Sequence, residues 1–325
     1  MYRALVLRKL SVILLLAICV PVAAQTYPSK PMRMVVPFPG GGATDTTARL
    51  FGQLLSEQLG QPIVAENRTG ATGSIGAVSV ARANPDGYTI LYTSASFALA
   101  PLLYKKAPYD PVTDFTYIQM TVTQPVLLVV NPQFPPKTAP EFIAYAKANP
   151  NTINYGSSGS GGINHLASAE FGSRFGLQLT HVPYKGGAPA MVDVIGGRIQ
   201  MMLVPTGELI PYLQGNRVRP LAIIWPSRST LFPDVPTITE ALKQEYAGIG
   251  VWHGVMVPKG TPKEIVARLH KELNGAVQNA DVRQKLTAQG NVMVGGSPAE
   301  FESYVRGETA RWGKVVKALD LQLAD

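Results

Sequence analysis

Cysteine is almost absent from this sequence: Cys19 is the only one, and it lies in an apolar run near the N-terminus. Residues 1–24 combine three basic residues, about 13 apolar residues and a small-residue end, which is the pattern of a secretory signal peptide. The run is shorter than the roughly 20 residues of a membrane span. A lipoprotein would keep Cys19, but the bulky Ile18 before it argues against that alternative. We predict cleavage after residue 24, a periplasmic mature chain, and no disulfide or thiolate metal site.

Charge and low-complexity sequence are also sparse. The formal net charge is +8, and three of those positive charges precede residue 25, which leaves the mature chain near +5. Lys105 and Lys106 form the only adjacent basic pair beyond that point, with no interleaved aromatic residues, so we expect no nucleic-acid binding. No repeat and no second long apolar run occurs. A chain of this length buries enough surface to fold without disulfides and usually forms two lobes.

What the sequence does contain is a repeated order of a short apolar run, a Gly/Ser/Thr loop and a helical pattern. The predicted strands are 32–38, 62–66, 88–93, 126–131, 153–156, 179–182, 201–204, 221–225 and 250–257. The predicted helices are 46–59, 74–83, 139–148, 163–175, 188–195, 208–213, 263–279 and 298–319. This alternation predicts an α/β fold with parallel-rich sheets and helices on both faces.

The order of lobes follows from the absence of a flexible linker. We expect the chain to cross between lobes near residues 118–125 and 246–252. The predicted organisation is a signal peptide at 1–24, a first lobe at 25–122, a second lobe at 123–248 and a return to the first lobe at 249–325. The ligand cleft of such sheets lies beyond the carboxyl ends of the strands.

The loop at 37–46, PFPGGGATDT, connects the first strand to the first helix. Its glycines let a ligand approach the main chain, and Thr44 or Asp45 is predicted to cap the helix. Free N–H groups and the helix dipole favour an anion there. Residues 69–74 and 93–96 occupy similar positions in the first lobe.

Matching loops occur in the second half of the chain. Residues 156–164, GSSGSGGIN, offer three hydroxyls and several N–H groups with no charge. Residues 182–188, VPYKGGA, precede another helix, and Thr206 with Gly207 follows the strand at 201–204. Several helix N-termini are therefore predicted to converge on one cleft that suits a carboxylate.

Enzyme motifs are weak in the same loops. The Gly-Lys-Ser/Thr of a phosphate-binding loop is absent, and GSSGS departs from the nucleophile-elbow pattern at its last position. His165, His181, His253 and His270 lack metal-ligand spacing and are predicted to be packing or helix-face residues. We expect no cofactor, no metal and no catalysis, with a hydrolase built on the Ser157/Ser158 loop as the enzymatic alternative.

Several long motifs in register resemble the tripartite tricarboxylate transporter receptors, the Bug proteins. They are YPSKPMRMVVPFPGGGATDTTAR, NPDGYTILYTS, GSSGSGGINHLASAEF, HVPYKGGAPAMVDVIGGRIQMML and FPDVPTITEA. The resemblance implies the two-lobed periplasmic binding protein fold of type II, which closes on a di- or tricarboxylate, an amino acid or an aromatic acid in the cleft between its lobes. It places ligand contacts at Phe38, Gly42, Ala43, Thr44, Asp45, Ser94, Ser96, Ser157, Ser158, Gly161, Tyr184, Lys185 and Thr206.

The resemblance implies that the closed form delivers its ligand to membrane permease subunits. A ligand sensor that feeds a receptor kinase is an alternative role for the same fold, and the sequence does not separate the two. The expected oligomeric state is a monomer.

Overall fold

The computed structural model describes residues 27–104, 108–213, 215–246 and 248–321. The predicted signal peptide and the Lys105–Lys106 pair lie outside the described residues. No helix in the described ranges is both long enough and apolar enough to cross a membrane.

Residues 27–104 alternate strands and helices as predicted. The elements are β1 (Met32–Val36), α1 (Ala43–Leu59), β2 (Ile63–Asn67), α2 (Ser74–Ala81), β3 (Thr89–Ser94) and α3 (Ser96–Leu103). Two differences matter for function. Helix α1 begins three residues earlier than predicted, and α3 was not predicted because its apolar sequence SFALAPLL has little amphipathic pattern and contains Pro101.

The second part of the chain continues the alternation. Its elements are β4 (Phe115–Val130), α4 (Ala139–Ala148), β5 (Ile153–Ser157), α5 (Ile163–Phe175), β6 (Leu179–Pro183), α6 (Gly187–Ile195), β7 (Met201–Pro205), α7 (Thr206–Leu213), β8 (Arg219–Ile224) and α8 (Ile238–Leu242). The bounds of α4 and α5 are those predicted. The short α8 was not predicted.

The C-terminal part contains β9 (Gly250–Pro258), α9 (Lys263–Gln278), α10 (Ala280–Thr287), β10 (Val292–Gly295) and α11 (Pro298–Ala318). The helical segment that starts at Lys263 is followed by a second helix because the Asn279 side chain accepts the Val282 N–H and caps α10. Strand β10 was not predicted.

A single 16-residue strand, β4, is shared by two groups of strands. Its first part pairs with β9 and β10, and its last five residues pair with β7 and β8. We call β1, β2, β3, β9, β10 and the start of β4 sheet half A. Sheet half B contains the end of β4 with β5, β6, β7 and β8. The predicted lobe boundaries at 122/123 and 248/249 stay predictions.

The sheet is mixed. β1, β2 and β3 are parallel neighbours in half A, and β5, β6 and β7 are parallel neighbours in half B. The strands β4, β8, β9 and β10 pair antiparallel. The βαβ units therefore form the parallel parts, and the strands through the middle of the molecule run antiparallel to their partners.

Both faces of the sheet are buried, which explains the continuous apolar runs. In β1, Met34 packs on one side of sheet half A with Phe51, and Val35 packs on the other. In β4, Leu128 and Leu127 divide between the two faces of half B in the same way. Since the strands themselves are covered on both faces, the loops at the carboxyl ends of β1, β3, β5 and β7 are the positions where a ligand can be held.

Candidate functional site

The loop before α1 is held by a buried carboxylate. Asp45 is 3% exposed, and its Oδ2 accepts hydrogen bonds from the Gly41 N–H (2.9 Å) and Arg49 Nε (3.0 Å). Its Oδ1 accepts one from Asn67 Nδ2, which also donates to the Phe38 carbonyl. Burial alone would raise the pKa of the Asp45 carboxyl, but the hydrogen bonds from Arg49, Gly41 and Asn67 lower it below its usual range. Asp45 and Phe38 are thus tied into one rigid loop.

The N-terminus of α1 has no side-chain cap. Gly42 is the N-cap residue in an extended conformation, and no side chain accepts a helix N–H there. The prediction that Thr44 or Asp45 caps the helix is wrong, because the helix starts at Ala43 and places both residues inside its first turn. The N–H groups of that turn are left for another acceptor.

Three hydroxyls predicted for half A lie close to this helix end. Thr44 Oγ1 is 3.2 Å from Nε2 of His253, and Ser94 Oγ is 3.4 Å from Ser96 Oγ. Ser94 and His253 are direct partners in the β3–β9 ladder, so their side chains share a face. Thr44 and Ser94 therefore lie on the same side of sheet half A as the His253 ring, with Ser96 next to Ser94.

The glycine-rich loop before α5 repeats the arrangement in half B. Gly162 is the N-cap residue of α5 and again no side chain caps the helix. Gly161 adopts φ +78°, and its N–H donates to His165 Nδ1 at 3.1 Å. Ser158 Oγ donates to Asn164 Oδ1 at 2.8 Å, and Asn164 in turn donates to the carbonyl of Leu203 in β7.

Ser157 is buried beneath this loop. Its side chain is 0% exposed, and its Oγ is 2.7 Å from His181 Nε2 and accepts the Gly159 N–H. The rings of His181 and His165 stack with centroids 3.7 Å apart, and Tyr155 stacks on His181. Burial lowers the pKa of His165 to about 4, assisted by the charge of His181. The three rings form a neutral support for the loop.

The remaining predicted residues surround the loop less closely. Tyr184 donates from its backbone N–H to the Ser157 carbonyl and from its hydroxyl to Asp193. Lys185 is exposed. The Thr206 hydroxyl is fully buried and donates to the Gly290 carbonyl, next to the position where β4 passes between the sheet halves. The Thr206 side chain therefore joins the first turn of α7 to the C-terminal segment.

Helix α3 connects the surroundings of the two loop regions. This eight-residue helix starts at Ser96, beside Ser94, and a helix of that length spans about 12 Å. Its last residue, Leu103, lies against Gly161, where an added Cβ would be 3.1 Å from Leu103 Cδ1. The hydroxyl group of half A and the glycine loop of half B are thus at the two ends of one short helix.

Sequence reasoning missed the partners that hold these loops. They are Asn67, Asn164, Leu103 and the roles of His165, His181 and His253. The histidines were correctly predicted to be packing residues, but their contacts involve residues far apart in sequence. Among the described residues, no group of three or more His, Cys, Asp or Glu side chains could hold a metal ion.

Comparison with known proteins identifies the family. The sequence model described as the tripartite tricarboxylate transporter family receptor matches residues 47–321. Protein BugT of Bordetella pertussis is 36% identical over 308 residues, which cover 94% of this chain and 94% of BugT.

Two solved structures resemble the fold closely. An R. palustris protein with adipate is 35% identical with a TM-score of 0.75, covering 91% of this chain and 99% of its own. MatC from Rhodopseudomonas palustris with bound malate is 34% identical with a TM-score of 0.71, covering 89% and 100%. These similarities confirm the two-lobed periplasmic binding protein fold. With the glycine loops, the strand order and the match over residues 47–321 in agreement, the chain belongs to the tripartite tricarboxylate transporter receptor family, the Bug proteins.

Proposed function

We propose that this protein is an extracytoplasmic receptor that captures a small carboxylate between its two lobes and releases it to a tripartite tricarboxylate-type permease. The observation that carries the proposal is the state of the helix ends. Helices α1 and α5 start behind Gly42 and Gly162 with no side-chain cap. Side chains cap α4, α8, α10 and α11, namely Thr138, Thr237, Asn279 and Ser297. Helices α2, α3, α6 and α9 also begin without a side-chain cap, so what sets α1 and α5 apart is the run of glycines before each of them together with the neighbouring hydroxyls.

Uncapped helix N-termini are suited to an anion, since their N–H groups and positive dipole end stabilise negative charge. The hydroxyls of Thr44, Ser94 and Ser96 add neutral donors at the α1 side. At the α5 side, the Ser158 hydroxyl donates to Asn164 and so holds the loop whose N–H groups face the ligand. The solved structures of two similar proteins contain adipate and malate, and both are dicarboxylates. A ligand with two carboxylates would place one at each helix end.

The full proposed contact set keeps the residues predicted from the sequence: Phe38, Gly42, Ala43, Thr44, Asp45, Ser94, Ser96, Ser157, Ser158, Gly161, Tyr184, Lys185 and Thr206. Within it, the side chains of Asp45, Ser157, Ser158, Tyr184 and Thr206 are hydrogen-bonded to other parts of the protein. We propose that these five side chains hold the loops in place, while main-chain N–H groups and the hydroxyls of Thr44, Ser94 and Ser96 contact the ligand.

Lobe closure is the proposed mechanism of capture. The proposed lobes are residues 25–122 with 249–325, and residues 123–248, and the chain crosses between them within β4 and just before β9. A ligand that contacts both lobes only when they are shut shifts the population to the closed form by its differential affinity. We propose export by the signal peptide at 1–24 and a monomeric mature protein.

We propose that the receptor performs no chemistry on its ligand. A hydrolase would need a serine that reaches its substrate. Ser157 is 0% exposed with its hydroxyl bound to His181 and the Gly159 N–H, and Ser158 donates to Asn164, an amide that cannot act as a general base. These contacts favour a structural role for both hydroxyls.

The test is a thermal-shift screen and calorimetry of the mature protein with adipate, malate, citrate and aromatic acids, with dimethyl adipate as the uncharged control. At 100 times its dissociation constant, a ligand adds about 2.7 kcal/mol to the free energy of unfolding. Thr44→Ala and Ser158→Ala should each weaken binding several-fold, whereas Thr230→Ala, an exposed threonine after β8, should not. Stabilisation by no acid, or unchanged affinity in both site variants, would contradict the proposal.

A ligand sensor for a receptor kinase remains the second candidate role, because the same closed lobes can present a docking surface. Uptake assays in cells that lack this protein separate the two roles. Loss of uptake supports transport, and intact uptake with loss of a transcriptional response supports sensing.

A further inference from the structure

A buried histidine lies directly behind one of the proposed ligand hydroxyls. His253, in the middle of β9, is 1% exposed and is enclosed by β3, β4 and α1. Its Nε2 is 3.2 Å from Thr44 Oγ1, its ring packs 6.0 Å from the Tyr92 ring, and its carbonyl accepts the Thr121 hydroxyl. Its Nδ1 has no hydrogen-bond partner among the described residues.

The imidazole is neutral at pH 7, because burial lowers the pKa of His253 to about 4. A neutral imidazole carries one N–H and one lone pair, so two tautomers must be compared. With the proton on Nδ1, a buried N–H would be unpaired, which folded proteins rarely tolerate. With the proton on Nε2, that N–H donates to Thr44 and only an acceptor nitrogen is unpaired, which is the less unusual situation.

The tautomer decides what Thr44 offers to the cleft. A threonine hydroxyl has one proton and two lone pairs. Within α1, Thr47 donates its proton to the carbonyl four residues earlier, that of Ala43. The corresponding residue for Thr44 is Gly40, which precedes the helix, so the helix provides no such acceptor. A Thr44 hydroxyl that accepts from His253 therefore keeps its proton available.

We propose that His253 is a positioning residue of the ligand site, which donates Nε2–H to Thr44 Oγ1 and so directs the Thr44 hydroxyl proton at a ligand carboxylate. The inference rests on the proposed function. In the opposite tautomer, the Thr44 hydroxyl would donate its proton to Nε2 of His253 and present only oxygen lone pairs to the cleft. Such a site would favour ligands that donate hydrogen bonds and disfavour carboxylates.

The direct test is a two-bond ¹H–¹⁵N spectrum of ¹⁵N-histidine-labelled ligand-free protein at pH 7, with the His253 signals assigned by their absence in His253→Gln. We expect a protonated Nε2 and an unprotonated Nδ1. A protonated Nδ1, or a ring protonated on both nitrogens, would overturn the proposal. The tautomer is read from the wild-type protein without a ligand, and the variant serves only to assign the signals.

Calorimetry with adipate and malate tests the consequence. His253→Phe removes the donor and should weaken binding about tenfold, whereas His253→Gln, whose amide N–H can reach Thr44, should stay within about threefold of wild type. In the Thr44→Val background, His253→Phe should cause no further loss. Equal affinities of His253→Phe and wild type would overturn the proposal. A failed receptor function looks different: no carboxylate would bind the wild-type protein, although its spectrum showed the Nε2–H tautomer.

Discussion

The stacked histidines His165 and His181 predict that the free energy of unfolding falls as the pH drops from 7 to 5. Their rings are within 5° of parallel, so protonating both would place two positive charges in contact. Burial, followed by the charge of His181, lowers the pKa of His165 from 6.5 to about 4, and burial lowers that of His181 as well. Protonation at Nδ1 would also break the bond from the Gly161 N–H.

The sign follows from proton binding. Between pH 6.5 and pH 4 the unfolded chain holds a proton on His165 that the folded protein does not, so stability is fully present above pH 6.5 and is lost as the pH falls. From pH 7 to pH 5 the loss from His165 is about 2 kcal/mol. His253, whose pKa burial also lowers to about 4, contributes a similar amount.

Urea unfolding followed by circular dichroism at pH 7 and pH 5, at constant ionic strength, measures the effect. In His165→Asn, the amide oxygen can still accept the Gly161 N–H but cannot titrate, so the variant should lose about 2 kcal/mol less than wild type over this interval. Tyr155→Phe is the control, because burial raises the pKa of Tyr155 to about 12, far from this range. If His165→Asn kept the wild-type pH dependence, protonation of His165 would not be the cause of the loss of stability.

Three further substitutions, measured by urea unfolding, test the loop before α1 and the contact between Gly290 and the first turn of α7. In Gly290→Ala, the new Cβ would lie 2.7 Å from the Gly207 nitrogen, on a backbone with φ +84°. We therefore expect the free energy of unfolding to fall by at least about 2 kcal/mol. An unchanged stability would show that the backbone around Gly207 moves to accommodate the new methyl group. Its control is Gly307→Ala in α11, where no atom lies within 4 Å and stability should rise by about 0.5–1 kcal/mol. Asp45→Asn removes the charge that binds Arg49 and should lower the free energy of unfolding by about 1–3 kcal/mol at pH 7. On acidification below pH 4, the variant should lose less stability than wild type, because it has no carboxylate to protonate. An unchanged stability at pH 7 would contradict the loop's dependence on this carboxylate.

Elements with local signals were predictable from the sequence. Helix α4 starts where Thr138 accepts the Glu141 N–H, and α5 ends at Gly176 in a left-handed conformation, so caps mark these ends in the sequence itself. The glycine loops before α1 and α5 were likewise predicted, because glycine-rich stretches follow apolar runs in both cases, although the cap of α1 was assigned to Thr44 or Asp45 instead of Gly42.

Elements that depend on distant partners were not predictable. β4 looked like a crossing segment because polar residues such as Gln119 and Thr121 interrupt its apolar run. Their partners, Gly296 and the His253 carbonyl, are 177 and 132 residues away in sequence. The contacts that hold the candidate site have the same character, as Thr44 meets its histidine 209 residues later. Local pattern therefore located the loops but not the side chains behind them.

The shared strand β4 has a consequence for the order of folding. Its partners β9 and β10 are synthesised after the whole of sheet half B, so half A cannot close until the last quarter of the chain is available. Pairing across such sequence distances is slow, because the entropy cost of closing a long loop comes before any stabilising contact forms. A nascent chain that carries the predicted export signal would thus stay incompletely folded, and so able to pass through a translocation channel, until its C-terminal segment has been synthesised.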